Sequence, residues 1–580
     1  MKPAPQPAPP SLLRWLGPII LIALVIGAFC PVFQADFVDW DDLKTIAQNP
    51  ALNPATIESI ARYWSPANPH MDLYVPVTYT MWGALAMLSP RHGGAGDGVT
   101  LSPVLFHAAN VLLHAISAVI AFLILRKLVR NEIASLLGAA VFALHPVQTE
   151  TVAWVSGGKD VLSGALSLLA LFLYLHAIEP SQEPRPHGPR PVVWYVFATI
   201  TFLAAMLAKP QAVIVPLIAG VIDVMLVRRS ALAAIRSLAL WFVLAIPIVA
   251  IGRISQPAPA IDSPAIFRPL VAADALAFYF GKLVMPMQFA VDYGRSPQWL
   301  RDAPDRFWTW IVPAAVLIVS VALARRARWL LAGLLVVVAA ILPVLGMVPF
   351  DFQLHSTVAD HYLYVAILGV AMCVAYLMSM ANKRWQILFA LVPLLLASLT
   401  FVQARFWANT RSLFERAQEV NPTSLAASNQ LGLYYSAHGE PERAIGCFEV
   451  GCRAHPNIAF VHYNYADVLS KNGALAPALQ HYQRAVELDP RQADYWANYG
   501  LTLAKADHPR EALAALGQAV KRNPNHADAY LNAGIVLERV GQIDEARKAF
   551  EQVLRLDPTR QAVREHLASL PRSKPPSGSR

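Results

Sequence analysis

Long apolar runs alternate with short polar segments over roughly the first 400 residues of the chain. Runs of about 17 to 24 residues are near the length that an α-helix needs to cross about 30 Å of hydrocarbon. Each run therefore predicts one membrane-spanning helix. The eleven predicted spans are residues 17–33, 104–125, 134–148, 161–178, 193–208, 212–227, 236–252, 308–324, 329–348, 362–380 and 386–403.

Two other features refine this count. The apolar stretch 75–89 is short and contains threonine and tryptophan, so we predict an interfacial helix there rather than a span. The first run is apolar enough for a signal peptide, but residues 27–31 form a poor cleavage site. We therefore expect an uncleaved anchor after a Pro-rich N-terminus, residues 1–16.

The pattern changes after residue 403, where a period of 34 residues begins. The prolines at this interval are Pro422, Pro456, Pro490, Pro524 and Pro558, and the alanines are Ala444, Ala478, Ala512 and Ala546. Small and large residues at fixed positions between them are typical of a tetratricopeptide repeat, in which two helices pack closely. We predict four units within residues 404–570, with a partial helix before them, a capping helix at 561–569 and a disordered tail, residues 571–580.

Stacked repeats form a concave groove that usually binds extended peptide. The aromatic residues that can partly line it are Tyr435, Tyr463, Tyr465, Trp496, Tyr499 and Tyr530. For any one of them, the more ordinary interpretation is packing between the helices of a pair.

Composition indicates that one part of the chain lies in the membrane and another part in water. Hydrophobic residues make up 56% of the sequence and charged residues 15%, which is too apolar for one soluble fold. The last 175 or so residues are nevertheless as polar as a soluble domain. The predicted fold class is all-α: a polytopic membrane bundle of residues 17–403, followed by an α-solenoid of repeats.

Charge indicates the orientation of the spans. If the N-terminus is cytoplasmic, the loops on that side hold fifteen basic and three acidic residues, whereas the opposite loops up to residue 403 hold eleven basic and sixteen acidic residues. This asymmetry agrees with the positive-inside rule. The net charge of +9 is thus mostly a topology signal and gives no reason to expect nucleic acid. An odd number of spans then predicts that the repeats are extracytoplasmic, which is the periplasm if the host is bacterial.

Polar residues that bear on chemistry collect on the outer face. An acidic cluster, Asp36, Asp39, Asp41 and Asp42, follows the first span, and neighbouring carboxylates near low dielectric are expected to hold protons more tightly. An exposed polar loop is the simpler interpretation of that cluster taken alone. The other outer-face candidates are Glu150, Lys159, Asp160, Lys209, His361 and Tyr362. Ionisable groups at span ends cost free energy unless they are solvated or paired, so their clustering indicates a site.

The four cysteines add little. Cys447 and Cys452 lie five residues apart on one predicted helix, where a mutual disulfide is not expected. No metal-ligand spacing is present in the sequence. A divalent cation shared by Asp41, Asp42 and Glu150 is the one metal site that we leave open.

At these residues the chain resembles the transmembrane and tetratricopeptide repeat (TMTC-type) protein O-mannosyltransferases, a family of C-type glycosyltransferases. The matching segments are residues 37–42 with Asn49-Pro50, residues 144–160, the turn at Lys209, and residues 362–364. The sequence departs from the family at two positions, with His361 and Lys159 where arginine is expected. Lys159 keeps the positive charge, whereas histidine is only partly charged near neutral pH, which puts a phosphate-binding role of His361 in doubt.

The resemblance implies an integral-membrane enzyme that moves a sugar, a hexose such as mannose, from a polyprenyl phosphate to a Ser or Thr hydroxyl of a protein. Asp41 is the expected base, with Asp42 orienting it or the acceptor. Lys209, Lys159 and His361 are expected to stabilise the departing phosphate, and Glu150 and Asp160 to position the sugar or the cations. A single displacement would invert the anomeric configuration, and the repeats would bind the acceptor protein.

Two other functions stay open at this point. One is a ligase or polymerase of lipid-linked polysaccharide, for which the charged residues are expected in one large late loop. The other is a non-catalytic membrane scaffold whose repeats recruit proteins. The sequence favours a bacterial host through its Ala-, Leu- and Arg-rich usage and short loops, and hence the inner membrane and undecaprenyl phosphate.

Overall fold

The structure is a computed structural model, and it describes residues 12–571 except 68, 72, 90–91, 94–98, 179–189, 256–263 and 303. Residues 1–11 of the predicted N-terminal segment 1–16 and residues 572–580 of the predicted tail 571–580 therefore lie outside the described residues, whereas residues 13–16 belong to the first helix. Contacts divide the chain into two compact units, residues 1–422 and 423–580.

The first unit, called the membrane unit here, is built from helices that coincide with the apolar runs. Its α-helices are Leu13–Phe29, Ile57–Arg62, Pro76–Leu88, Pro103–Val129, Glu132–Leu144, Thr149–Ala153, Gly158–Ala177, Pro191–Ala208, Val215–Ile222, Ala231–Ser255, Arg268–Val284, Pro297–Arg301, Ile311–Leu323, Arg328–Ile341, Ile367–Met380, Lys383–Phe389, Leu391–Arg405 and Thr410–Val420.

Eight helical segments among the described residues are long and apolar enough to cross a membrane. They are Leu13–Gln34, Pro103–Val129, Val155–Ala177, Pro191–Ala208, Pro210–Val227, Ala231–Ser255, Asp305–Leu323 and Lys383–Ala408. The other three predicted spans correspond to shorter apolar segments, Glu132–Leu144, Arg328–Val344 and Ile367–Met380. The all-α membrane bundle is confirmed, and all eleven predicted spans coincide with apolar helices.

Short irregular helical segments join the long ones. The 3-10 segments are Cys30–Gln34, Pro146–Gln148, Pro210–Ile214, Ala265–Phe267, Pro304–Trp310, Leu342–Val344, Asp351–Leu354, Asp360–Leu363 and Phe406–Ala408, and the π-helical segments are Leu43–Ala47 and Asp223–Val227. The strands His92–Gly93 and Val99–Thr100 pair antiparallel. Several of these junctions carry the polar residues singled out above.

Two helices add detail that the hydropathy pattern does not give. Pro76–Leu88 packs into the bundle, with Trp82 buried and the Thr78 hydroxyl donating to the Ala208 carbonyl at 2.8 Å. Arg268–Val284 forms a 17-residue helix inside the segment 253–307, which the sequence analysis treats as a loop. Its Asp274 and Lys282 interrupt the apolar run, so it does not resemble a span.

The boundary between the units lies after Pro422, whereas the sequence analysis predicts it after residue 403. The difference is the helix Thr410–Val420, the predicted partial helix before the repeats. Its Phe414 ring packs edge-on against Trp40 at 5.7 Å, and the Thr410 hydroxyl accepts the Asp39 backbone N–H at 2.8 Å. These contacts make the helix part of the membrane unit.

The second unit, called the repeat unit here, consists of paired helices and a final one, as the 34-residue period predicts. They are Leu425–Ala437, Pro441–Ala454, Ala459–Lys471, Leu475–Leu488, Ala493–Lys505, Pro509–Arg522, Ala527–Arg539, Ile543–Leu556 and Gln561–Ser569. Four helix pairs and the final helix Gln561–Ser569 lie within the range in which the 34-residue period predicts them.

Three of the four helix pairs pack a large side chain against a glycine sixteen positions earlier. A Cβ added to Gly432 would meet the Phe448 ring at 2.6 Å, and the same holds for Gly534 with Phe550 at 2.7 Å. Gly500 is equally close to Leu516, at 2.7 Å. Because the small residue lets the two helices approach, the large one is fully buried, and this fixes the geometry of each pair.

The turn between the paired helices requires a left-handed backbone. Gly439, Gly473 and Gly541 have φ of +72°, +79° and +82°, and Asp507 occupies the same repeat position with φ of +66°. Glycine adopts this conformation without a Cβ clash, whereas aspartate is strained there. The third unit is therefore the one repeat that has a residue other than glycine at this turn position.

Candidate active site

The acidic motif after the first helix divides into one buried and one half-buried carboxylate. Asp42 is fully buried, and its Oδ2 and Oδ1 accept the backbone N–H groups of Val38 at 3.1 Å and Ser156 at 2.8 Å. Asp41 is half-buried, and within the described part of the chain its carboxylate accepts no hydrogen bond. Asp42 thus ties the first outer segment to the second, and Asp41 keeps its acceptor capacity.

Burial raises the pKa of Asp42 to about 6, although the hydrogen bonds from Ser156 and Val38 oppose that rise. The nearby Asp41 charge raises it slightly further. The expected elevated proton affinity therefore falls on Asp42 and also on Asp39, whose pKa is raised by burial. Its two backbone donors give Asp42 a structural role in holding the motif.

Glu150 joins residues that lie far apart in the sequence. It is buried in the short helix Thr149–Ala153, and its Oε2 accepts the backbone N–H groups of Asp360 and His361 at 2.8 and 3.1 Å. Its Oε1 lies 2.8 Å from His361 Nδ1. Because a carboxylate can only accept, Nδ1 carries the proton in this pair, which leaves His361 Nε2 as the nitrogen available to a ligand.

A second ion pair holds Lys209, the residue between two apolar helices. Its Nζ donates to Asp160 Oδ1, and Asp160 is 4% exposed. The other oxygen, Asp160 Oδ2, is buried and has no hydrogen-bond partner among the described residues. A buried acceptor left open in this way is suited to a hydroxyl donor of a ligand.

Aromatic rings surround the cations. The Lys159 ammonium lies 4.4 Å from the Trp154 ring centre, and the Lys209 ammonium 5.7 Å from that of Tyr362. Trp154 also contacts the His361 ring at 5.9 Å. Such rings stabilise cations in a partly desolvated setting and exclude water from them.

Two clefts flank the Glu150–His361 pair. The first, called the cationic cleft, is lined by Asp160, Ser163, Gly164, Ser167, Lys209, Gln211, Ala212, Ile214, Ala340, His361, Tyr362, Tyr364 and Val365. The second is lined by Pro146, Thr149, Glu150, Phe289, Ala290, Val291, Asp360, Gln403, Trp407, Leu413 and Arg416. The first therefore combines a cationic end with apolar walls.

Six of the eight predicted residues meet around these clefts: Glu150, Lys159, Asp160, Lys209, His361 and Tyr362. Asp41 and Asp42 line neither of the two clefts, and Asp42 connects to the segment beside them through the Ser156 backbone N–H. Lys159 and Asp160 lie in the first turn of the helix Gly158–Ala177 and not in the loop that the sequence analysis assigns to them. An acidic side chain in a first turn is favoured by the helix dipole.

The structure adds residues to the site that sequence reasoning leaves out. The Tyr293 hydroxyl donates to Asp360 Oδ2 at 2.6 Å, and the other oxygen of Asp360 is buried without a partner among the described residues. Burial raises the pKa of Asp360, and the Glu150 charge raises it further. Asp360 could have been identified from the sequence because it directly precedes His361. No sequence motif points to Tyr293 or Arg416.

The shared-cation hypothesis receives no support from this arrangement. Both oxygens of Asp42 and both oxygens of Glu150 already accept hydrogen bonds from backbone or imidazole N–H groups.

The aromatic residues predicted for the repeat groove divide into two groups. Tyr435 and Tyr465 are buried between helices, whereas Tyr463, Trp496, Tyr499 and Tyr530 are half-buried. The Tyr463 ring stacks on Tyr495 at 4.5 Å, and its hydroxyl accepts from Asn498 Nδ2 at 2.7 Å. Part of the predicted set is thus available to a ligand.

Comparison with known proteins supports both units. A tetratricopeptide repeat family model matches residues 429–493 and 498–561. The Caenorhabditis elegans protein O-mannosyl-transferase F38B6.6 is 23% identical over 502 residues, which cover 81% of this chain and 62% of that protein. The human protein O-mannosyl-transferase TMTC3 is 23% identical over 527 residues, 81% of this chain and 55% of that protein.

Among solved structures, the crystal structure of MamA matches with a TM-score of 0.26 and 21% identity, covering 28% of this chain and 94% of that one. The chain spans little more than half the length of the two curated relatives. The matches cover 81% of this chain, which is more than the repeat unit alone and extends into the membrane unit. The chain is therefore similar over most of its length to TMTC-type protein O-mannosyltransferases, as the motif resemblance predicts.

Proposed function

We propose that this chain is an integral-membrane glycosyltransferase that moves a hexose such as mannose from a polyprenyl phosphate to a Ser or Thr hydroxyl of a protein. The observation that carries the proposal is the cationic cleft. Lys209 and His361 line it together with the apolar residues Ala212, Ile214, Ala340 and Val365. A lipid phosphate has this combination of an anion and a hydrocarbon chain, and few other ligands do.

The cleft's open acceptor suits the sugar. Asp160 Oδ2 has no partner among the described residues, so a sugar hydroxyl can donate to it while Oδ1 holds Lys209. A hydrogen bond to a charged group contributes about 1.5 to 3 kcal/mol. Asp160 therefore positions both the sugar and the lysine that faces the phosphate.

The reaction is a single displacement at the anomeric carbon. The acceptor hydroxyl oxygen forms a bond to that carbon while the bond from the carbon to the phosphate oxygen breaks, which inverts the configuration. Asp41 takes the hydroxyl proton, because its carboxylate accepts no other hydrogen bond within the described part of the chain. Lys209 and a protonated His361, with Lys159 nearby, stabilise the charge that develops on the leaving phosphate.

The repeat unit binds the acceptor. Half-buried aromatic rings and amide side chains lie on the first helices of successive units. Tyr463 pairs with Asn498, and Asn464 Nδ2 donates to Asn429 Oδ1 at 2.7 Å. Amide side chains bind the peptide backbone, and the rings contact its side chains, which gives affinity for extended peptide without strict sequence selection.

The charge distribution supports an extracytoplasmic location for the site and the repeats, in a bacterial inner membrane with a cytoplasmic N-terminus. A periplasmic reporter fused after Arg405 is then expected to be active. Activity of a cytoplasmic reporter at that position would contradict the eleven-span topology.

The central experiment supplies labelled polyprenyl-phosphate mannose to membranes that contain the full-length chain. Wild type is compared with Asp41→Asn and with Asp36→Asn, an exposed neighbour that serves as the matched control. Loss of a general base lowers transfer by about 10²- to 10⁴-fold, and the control is expected to retain wild-type transfer.

The other outcomes are informative. Equal transfer by Asp41→Asn and wild type would remove Asp41 as the base. Label found only in glycan would favour a polysaccharide ligase. No transfer by wild type, together with retention of peptides on the repeats, would favour the scaffold.

A further inference from the structure

Three side chains with metal-binding atoms lie close together inside the repeat unit, although they belong to three different helices. Cys452 lies in the last turn of Pro441–Ala454, His462 near the start of Ala459–Lys471, and His481 in the middle of Leu475–Leu488. Their ligand atoms all lie within 4.8 Å of one another. The three residues come from three helices of two neighbouring units, so the 34-residue pattern does not reveal them.

Two of the three distances between ligand atoms are close to those of a tetrahedral zinc site. Cys452 Sγ lies 3.6 Å from His462 Nδ1, and two ligands at the usual Zn–S and Zn–N lengths are about 3.5 Å apart. The Nδ1 atoms of His462 and His481 are 2.9 Å apart, so the two rings need to separate by about 0.4 Å. His481 is half-buried on a packed helix and can make this adjustment through its side-chain torsions.

The hydrogen bonds already orient the central ligand. His462 Nε2 lies 3.1 Å from the Pro456 carbonyl, which can only accept, so Nε2 carries the proton and Nδ1 presents its lone pair to the other two residues. A backbone carbonyl that fixes the tautomer of a ligating histidine is a common feature of metal sites. Without a metal, His481 Nδ1 donates its proton to His462 Nδ1.

We propose that Cys452, His462 and His481 bind one Zn²⁺ ion per chain, with water in the fourth coordination position. A thiolate and two imidazoles form a ligand set that suits Zn²⁺. On binding, the Cys452 thiol releases its proton to solvent, and the His481 proton moves from Nδ1 to Nε2. Cys452 and His481 are half-buried, so the ion and the water reach the site from solvent.

The consequence is a cross-link between the first two repeats. The ion joins the second helix of one unit to both helices of the next, in a solenoid where each unit otherwise contacts only its neighbours. Zn²⁺ is thus expected to stabilise residues 441–488 against local opening, independently of sugar transfer.

The test uses the full-length chain without a histidine tag, purified in detergent, reduced, and freed of metal with a chelator. Co²⁺ alone is titrated as a spectroscopic probe and then displaced with Zn²⁺. Wild type is expected to show a thiolate-to-cobalt absorption band and tetrahedral ligand-field bands at one Co²⁺ per chain, and Zn²⁺ is expected to abolish both.

Cys452→Ser is expected to lose the thiolate band and to bind Co²⁺ at least about 100-fold more weakly. Cys447→Ser, on the same helix, is the matched control and is expected to keep both. His481→Gln provides a second variant at a half-buried position, with retained helicity checked by circular dichroism. Cobalt spectra and affinity unchanged in Cys452→Ser and His481→Gln would overturn the site, as would wild-type protein that shows no thiolate band.

Hydrogen exchange supplies an independent readout. Zn²⁺ is expected to slow exchange in residues 441–488 of wild type and of Cys447→Ser, but not of Cys452→Ser. Exchange in wild type that is unaffected by saturating Zn²⁺ would overturn the cross-link.

Discussion

The membrane unit and the repeat unit differ in the charged side chains that they bury. In the membrane unit the fully buried residues include Asp42, Glu150, Asp160, Asp223, Asp274, Lys282, Asp292 and Asp360. In residues 423–571 the fully buried polar residues are Ser424, Ser428, His462, Ser470 and Thr502, and none of them is an Asp, Glu, Lys or Arg. Burying a charge costs several kcal/mol unless it is paired, so the membrane unit retains charges that its stability alone does not require.

Burial of charge does not by itself identify the site, however. Asp223 Oδ2 accepts from Tyr174 at 2.8 Å and from Arg229 at 3.0 Å, and Arg295 binds both oxygens of Asp274. These pairs line neither of the two clefts described above. The pair of Lys209 with Asp160 and the pair of His361 with Glu150 each contribute residues to a cleft. The comparison therefore separates pairs that lie away from both clefts from pairs that contribute residues to a cleft.

The largest effect is expected in the repeat unit, from Phe448→Ala. Phe448 is fully buried against Gly432, and truncation of a buried phenylalanine costs about 3 to 5 kcal/mol. Hydrogen exchange of the full chain in detergent should show the loss in the first two repeats and none in residues 13–178. Ile535→Ala, at a side chain that is 51% exposed, should change the opening free energy by no more than about 0.5 kcal/mol.

The next effect concerns activity in the membrane unit. Lys209→Gln is expected to lower sugar transfer by about 10²- to 10³-fold, because in the proposed mechanism it removes the positive charge that stabilises the leaving phosphate. It also leaves Asp160 buried without its partner, so the double variant Asp160→Asn/Lys209→Gln should recover stability but not transfer.

Arg229→Gln is the matched control for that experiment. It breaks the Asp223 pair, which lines neither cleft, so it should lower the melting temperature while leaving transfer per folded molecule unchanged. Equal losses of transfer in Arg229→Gln and Lys209→Gln would remove the distinction between the two kinds of pair.

A third prediction follows from the buried Asp42. Its pKa is about 6 in the folded chain against an ordinary value of 3.8, so between these pH values the folded state holds a proton that the unfolded state has lost. The free energy of unfolding therefore falls as pH rises from about 4 to about 6, by about 3 kcal/mol in total. Thermal melts should show this fall in wild type and in Asp36→Asn, and a flatter dependence in Asp42→Asn.

The smallest effect tests the regularity of the repeats. Asp507 has φ of +66° at a turn where the other units have glycine. Asp507→Gly removes that strain and is expected to stabilise the third unit by about 0.5 kcal/mol, since the greater freedom of glycine in the unfolded chain offsets part of the gain. Gly473→Asp, the reverse change in the second unit, should destabilise it, and a stabilising result would contradict the strain argument.

The two units also differ in how far sequence predicts them. In the repeats, a proline or alanine every 34 residues determines helix ends and crossings, because each unit packs mainly on its neighbours. The eleven apolar runs likewise coincide with helices, because hydropathy and length are local properties. The helix Arg268–Val284 was missed because Asp274 and Lys282 interrupt its apolar run.

The site was only partly predictable. Motifs identified Glu150, Asp160, Lys209 and His361. No local pattern indicates that Glu150 binds the backbone of residues 360 and 361, or that the Tyr293 hydroxyl donates a hydrogen bond to Asp360. The same limit applies to Cys452 with His462 and His481, since their approach depends on how two repeats stack. Contacts between distant segments arise from the tertiary fold, which spacing along the chain does not encode.

The hydrogen bonds that Glu150 accepts from the backbone of Asp360 and His361 can form only late in the synthesis of the chain. The two halves of this contact leave the ribosome 210 and 211 residues apart, an interval of about 10 to 40 s at usual translation rates. During that time Glu150 has no backbone donor and the cationic cleft lacks one wall. A nascent or prematurely terminated chain can therefore insert its early helices before the contact between Glu150 and residues 360 and 361 exists, and only a completed membrane unit has the whole cleft.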